Sequence, residues 1–173
     1  MILTKRLLIV IATLLFLGGC KVNYSFTGAS VDPDVKTISI ATFQSTRAPL
    51  APPSLSQSFT EALKDRFLRQ TSLTLVKNNG DLMIDGEITG YVQRDEAASG
   101  TNASVTTLSR LTITVKVTFT DTKNEDNSYE QSFSNMEQFD ASSQTLAEVE
   151  ESLIESINEK LTQDVFNRTL GNW

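Results

Sequence analysis

Three groups of side chains in this sequence could do chemistry, and each needs different surroundings. The first is a single cysteine, Cys20, the only thiol in 173 residues. It follows the small pair Gly18-Gly19 and the apolar run Leu7 to Leu17, with Lys5 and Arg6 ahead of that run. The second is a carboxylate pair, Asp85 and Glu87, two residues apart in a stretch that alternates apolar and polar positions, so both fall on one strand face. Such a pair could work as acid and base. The third is Arg94, Arg110 and Lys116, at the two ends of a polar stretch and just beyond it, where they could donate hydrogen bonds to an anion. The chain has no histidine. That removes Ser-His and Cys-His nucleophiles, an imidazole base near neutral pH, and His-based zinc sites.

The layout before Cys20, a short positive segment, an apolar run and small residues, is that of a secretory signal. Eleven apolar positions are about half of the ~20 a helix needs to cross the hydrocarbon core, so export and removal fit better than a permanent span. Cys20 has no partner within the chain. A free thiol is a liability in an oxidising envelope, whereas a thiol carrying a diacylglyceryl thioether has a use. The segment resembles the lipobox of bacterial lipoproteins, with Gly18 where Ala or Ser is commoner. Residues 1–19 are expected to be a cleaved signal peptide, 20–34 a lipidated tether, and 35–173 a single domain. Lys21 stands where an aspartate commonly retains lipoproteins in the inner membrane. The expected location is therefore the periplasmic face of the outer membrane, with Cys20 as the membrane anchor.

The mature chain would have 173 minus 19, or 154, residues, which suits one domain. Without Lys5 and Arg6, the 15 basic residues become 13 against 21 acidic ones, a net charge of minus 8. Such a chain cannot neutralise phosphates broadly, so nucleic acid is not an expected partner. Affinity for an anionic ligand would need a local cluster.

Positioning those groups falls to elements whose periods are visible in the sequence. Val31-Asp32-Pro33-Asp34 is a turn signal, and Val35 to Phe43 alternates as a half-buried strand does. Ser54 with Gln57 has the spacing of a capping box, ahead of a helical stripe at Leu55, Phe59, Ala62, Leu63 and Phe67. A short strand at Leu73 to Lys77 is followed by Asn78-Asn79-Gly80-Asp81, which suits a hairpin turn. The strand from Leu82 to Val92 puts its even positions on the apolar face, Gly86 and Gly90 among them. These glycines would let a helix approach the sheet or mark a bulge. Arg94 to Thr107 has no apolar period and is expected to be a loop. Leu108 to Thr120 is the strongest strand, with Leu111, Ile113, Val115, Val117 and Phe119 on one face. Asp121 to Ser128 turns into a partner strand through Tyr129, Gln131 and Phe133. Thr145 and Glu148 repeat the capping-box spacing before a helix of about 25 residues. Its stripe runs through Leu146, Val149, Leu153, Ile157, Leu161 and Val165, and Gly171 is expected to be a left-handed cap. The fold class is α+β, a two-layer sandwich: a mostly antiparallel sheet of four or five strands with two amphipathic helices on one face.

Weighed against these elements, the chemistry thins. A catalytic carboxylate pair needs surroundings that push the two pKa values apart, and Asp85 and Glu87 lie among threonines on a face that reads as wet. No catalytic residue, metal ligand or cofactor is assigned, and the chain does not read as an enzyme. A hydrolase using that pair would have to lose its activity in Asp85→Asn. Arg94, Arg110 and Lys116 read as a solvated face, or as donors to an anionic amphiphile or a barrel wall.

At this point the order and spacing of several short stretches resemble LptE-type lipopolysaccharide-assembly lipoproteins. They are Tyr24-Ser25-Phe26-Thr27-Gly28 after the cysteine, Val35-Lys36-Thr37-Ile38-Ser39-Ile40, Ser54-Leu55-Ser56-Gln57, the Phe67 region, Gly80-Asp81-Leu82, Gly86-Glu87-Ile88-Thr89-Gly90 and the Leu111 strand. The resemblance implies a two-helix, four-stranded domain that plugs the outer-membrane barrel LptD, helps it assemble and binds lipopolysaccharide. Basic residues on strand ends and loops carry that contact in the family, which makes Arg94, Arg110 and Lys116 the candidates by position. A different class, an accessory or pilot lipoprotein scaffolding another envelope machine without a lipid ligand, would be separated by the partner that co-purifies.

Overall fold

A computed structural model describes residues 31–96 and 108–171. The chain enters through the Asp32 turn, where the Val35 amide donates to the Asp32 carbonyl at 2.9 Å and the Asp34 amide to the Asp32 side chain at 2.9 Å. The elements follow as β1 (Thr37–Ile40), α1 (Ser54–Gln70), β2 (Thr74–Leu75), β3 (Leu82–Glu96), β4 (Leu108–Asp121), β5 (Tyr129–Asp140) and α2 (Leu146–Leu170). The sheet order is β2-β1-β3-β4-β5. The three long strands pair antiparallel, while the short β1 is parallel to both β2 and β3. Both helices cover one face. Leu55, Phe59, Leu63 and Phe67 of α1, and Leu153, Ile157, Leu161 and Val165 of α2, are buried in one core with Ile113, Val115 and Val117 of β4. Edge-to-face rings join the β1–α1 loop to α1 at Phe43–Phe59 (4.9 Å) and the two helices to each other at Phe67–Phe166 (5.1 Å). The α+β sandwich expected from the periods is the one the chain adopts.

The segment at Asn78 to Asp81 differs from expectation: it is a crossover, not a hairpin turn. β1 lies between β2 and β3, so the chain must pass over β1 to reach its other side. Asn79 adopts a left-handed backbone, with φ of 53°. Gly80 then crosses so close that a Cβ there would lie 2.6 Å from the Ser39 nitrogen and 2.8 Å from the Ile38 carbonyl carbon. Both are backbone atoms in the middle of the sheet and cannot yield cheaply. Gly80→Ala is expected to destabilise the chain by about 1 to 3 kcal/mol, as overpacking does, read as a lower urea midpoint at unchanged slope.

Asp81 fastens this crossover. Its carboxylate accepts from the Lys36 and Thr37 amides at 3.0 Å each and from the Thr37 hydroxyl at 2.8 Å, and it pairs with Lys123 at 3.2 Å. The Lys36 amide foremost, then the Thr37 hydroxyl and the Lys123 ammonium, hold its carboxyl well below the usual carboxylate range. A depressed folded-state pKa adds stability above the ordinary value of about 3.9, and that stability is lost as pH falls toward the folded value. Asp81→Asn is therefore expected to lower the thermal midpoint at pH 7. Below pH 4 the gap between variant and parent should narrow.

The alternation of β3 also breaks. The register with β4 shifts between Ile88 and Gly90, which places a bulge at Thr89. One extra residue inverts the faces beyond it. Tyr91 goes to the core, 7% exposed, and Val92, expected inside, lies on the opposite face at 43%. Gly90 fulfils a role expected of the pair, while at Gly86 the close neighbour is a loop side chain and not a helix. Gly86 admits the Phe43 ring, whose Cε1 lies 2.5 Å from where a Cβ would stand, and Gly90 sits at the bulge. The strand also runs on to Glu96, so Arg94 is a strand residue; the rest of the expected loop, 97–107, lies outside the described residues.

Helix ends divide. At α2 the capping box forms, the Thr145 amide donating to the Glu148 carboxylate at 2.7 Å. At α1 it does not. The helix already begins at Ser54 after Pro53, which is itself helical, and Gln57 donates instead to Glu61 at 2.9 Å. Gly171 has φ of −72°, so the expected left-handed cap is absent and an extended residue ends the helix.

Candidate functional site

The helices leave one face of the sheet uncovered, and the register fixes what stands on it. Across β3, β4 and β5 the rows read Arg94, Arg110, Gln138; then Val92, Thr112, Met136; then Gly90, Thr114, Ser134; and, past the bulge, Glu87, Lys116, Ser132. The first row is cationic and the second is apolar at both ends, Met136 being 41% exposed. A charged row beside an apolar one suits an anionic amphiphile lying along the strands.

The three basic residues do not form one cluster. Arg94 and Arg110 face each other directly, whereas Lys116 lies six residues along β4, roughly 20 Å away. Arg110 pairs with Glu96, whose other carboxylate oxygen accepts from the Gln138 amide at 2.6 Å. The Arg110 Nε is buried and has no acceptor among the described residues. Arg94 is exposed and pairs with no described residue. The two guanidiniums thus stand beside a row that holds two carboxylates, Glu96 on Arg110 and Asp140 accepting from Ser142, which leaves Arg94 and the Arg110 Nε with donors to spare. Lys116 is engaged by Glu130 at 2.8 Å, and its hydrogen bond to that carboxylate holds the Glu130 carboxyl below the usual range.

Asp85 and Glu87 do share the open face, as expected, but each is already occupied. Glu87 pairs with Arg47 at 3.2 Å, and Asp85 accepts from the following Gly86 amide at 2.7 Å. Neither lies in a cleft. Among the described residues no group of His, Cys, Asp and Glu is arranged to hold a metal. Cys20 lies outside the described residues.

Sequence reasoning missed Val92, Met136 and Gln138 as neighbours of the arginines. The one signal for Val92 was Gly90, since a glycine within a strand can mark the bulge that changes its face. Met136 and Gln138 lie beyond the stretch in which the alternation of β5 was followed.

Solved structures with the same fold carry low identity. A minor lipoprotein from Acinetobacter baumannii is 14% identical over 78% of this chain and 91% of its own, with a TM-score of 0.51. A hypothetical protein from Chlamydia trachomatis is 13% identical over 80% and 99%, with a TM-score of 0.51. A homologue of neuraminyllactose-binding hemagglutinin from Helicobacter pylori is 12% identical over 84% and 88%, with a TM-score of 0.54. No curated protein matches the sequence. At such identities the neighbours establish the fold alone. The family model for lipopolysaccharide assembly, LptE, matches residues 35–169, from the strand before the crossover to the last turn of α2, and the chain therefore belongs to the LptE lipopolysaccharide-assembly family.

Proposed function

We propose that this chain is a non-catalytic, lipid-anchored protein of the outer membrane that partners the barrel LptD and contacts lipopolysaccharide as it is delivered to the cell surface. The observation that carries the reading is the family match over 35–169. The open sheet face supports it. Arg94 and Arg110 would address a phosphate through paired guanidinium hydrogen bonds, the unpartnered Arg110 Nε would gain an acceptor, and Val92 and Met136 would meet the apolar part of the same molecule. Lys116, engaged by Glu130 and a row system away, would contribute less. The net charge, minus 6 for the full sequence and minus 8 for the chain without residues 1–19, gives no long-range attraction to phosphate, so contact has to be local.

Two measurements test this. Crosslinking in native membranes, followed by mass spectrometry of the captured partner, is expected to return the barrel; a secretin in its place would transfer the protein to the pilot class. Changing Arg94, Arg110 and Lys116 together to alanine is expected to weaken lipopolysaccharide binding about tenfold or more, with barrel capture intact, since charge-assisted contacts contribute roughly 1.5 to 3 kcal/mol each. Lys116→Ala alone is expected to do least. Unchanged lipopolysaccharide affinity in the triple variant would remove the patch, and loss of barrel capture would make it a protein interface.

A further inference from the structure

On the side of the molecule away from the sheet, α1 and α2 leave a groove of about 980 Å³ between them. We propose that this groove is a docking site for an extended basic segment of a partner protein, with lysine or arginine at alternate positions. The inference stands apart from lipopolysaccharide contact on the sheet.

Charge comes first. Asp65, Glu150, Glu151, Glu155 and Glu159 line the groove, and among the described residues the only cations lining it are Arg66 and Arg69, both at one end. Those two are engaged. Arg69 pairs with Asp65 at 2.8 Å. Arg66 reaches across to α2 with all three nitrogens: Nε donates to the Thr162 hydroxyl at 3.0 Å, one terminal nitrogen to the Glu159 carbonyl at 3.1 Å, and the other to the Gln163 side chain. Lys160, beside Glu159 in sequence, turns to the sheet and pairs with Glu137 at 2.6 Å. Glu150 accepts from the Tyr91 hydroxyl. Glu151, Glu155 and Glu159 are exposed, and their carboxylates have no cation among the described residues.

A second observation is independent of charge. Asn158 lines the same groove at 3% exposure; its Nδ2 donates to Ser58 Oγ at 3.2 Å, but its Oδ1 is buried with no donor among the described residues. An unmet buried acceptor is unfavourable, and a donor brought by a ligand relieves it. An ammonium or guanidinium answers both the acceptor and the surrounding carboxylates.

Spacing selects the shape of the ligand. Glu151, Glu155 and Glu159 recur every ~6 Å along the axis of α2. Alternate side chains of an extended chain recur every ~6.6 to 6.8 Å. A strand-like segment with a cation at every second residue therefore meets all three carboxylates, while three adjacent lysines meet at most two.

The test uses the full chain purified in detergent and a fluorescent pentapeptide with lysine at its first, third and fifth positions and serine between, followed by anisotropy. An isomer with its three lysines adjacent has the same charge and is expected to bind about fivefold more weakly, because only complementary placement distinguishes the two. Neutralising the groove with Glu151→Gln and Glu155→Gln together is expected to weaken the alternating peptide about tenfold, whereas Glu125→Gln on the distant β4–β5 turn should leave it unchanged. Asn158→Leu, which removes the acceptor at similar volume, should weaken it severalfold, and Asn158→Asp, which keeps an acceptor, should not. Thermal melts check that each variant folds. If Asn158→Leu does not fold, Asn158→Asp and the glutamate variants decide. Equal affinity for the two isomers, or binding indifferent to Glu151 and Glu155, overturns the proposal.

Discussion

In a Cys20→Ser chain, incorporation of labelled palmitate is expected to fall to background, and any mature protein should leave the membrane fraction. A serine hydroxyl cannot form the thioether that the proposed anchor requires, and Cys20 is the only thiol present. The effect is large because acyl anchoring adds about 0.8 kcal/mol per buried methylene. One chain holds only marginally, and several together are effectively permanent. Among the described residues no helix is long and apolar enough to cross a membrane. Label still entering Cys20→Ser, or membrane retention unchanged, would dismiss the anchor.

Truncating Ile157 to alanine is expected to cost about 2 to 5 kcal/mol, from lost burial plus the cavity left behind. Ile157 is fully buried in the layer between α2 and the sheet. The neighbouring Leu153, at 9% exposure, should cost toward the lower end of that range. Glu151 is exposed on the groove side, and Glu151→Ala should stay within about 0.5 kcal/mol. The contrast is read from urea unfolding of the three variants. Equal costs at Ile157 and Glu151 would mean that α2 is rotated on the sheet.

Much of the fold was legible before any coordinates. Leu55, Phe59, Leu63 and Phe67, or Leu153, Ile157, Leu161 and Val165, can share one face only in a helix, and both sets are buried. The alternation from Leu111 to Phe119 likewise names the face of β4 that the helices cover. Local hydrogen bonding was legible where its partners are close in sequence, as in the Thr145–Glu148 box. The matching signal at Ser54 failed because Pro53 had already entered the helix, leaving Ser54 inside it.

The site was legible in its residue types but not in its arrangement. Arg94 and Arg110 were named as neighbours of a loop, and the β3–β4 register makes them face each other. Lys116 was grouped with them by proximity in sequence, and six strand residues separate it from Arg110.

The sequence by itself determined the order of most elements, the buried faces of both helices and of β4, and the absence of imidazole chemistry, because side-chain period and composition act within a few residues. Three things were decided only by tertiary structure. Pairing placed β1 between β2 and β3 and made a hairpin signal into a crossover. The bulge at Thr89 exchanged Tyr91 and Val92 between core and surface. The packing of α1 on α2 gathered Asp65, Asn158 and four glutamates into one groove. Each depends on which strand or helix lies beside which, a choice fixed by the total burial of the assembled layers and carried by no single stretch of chain.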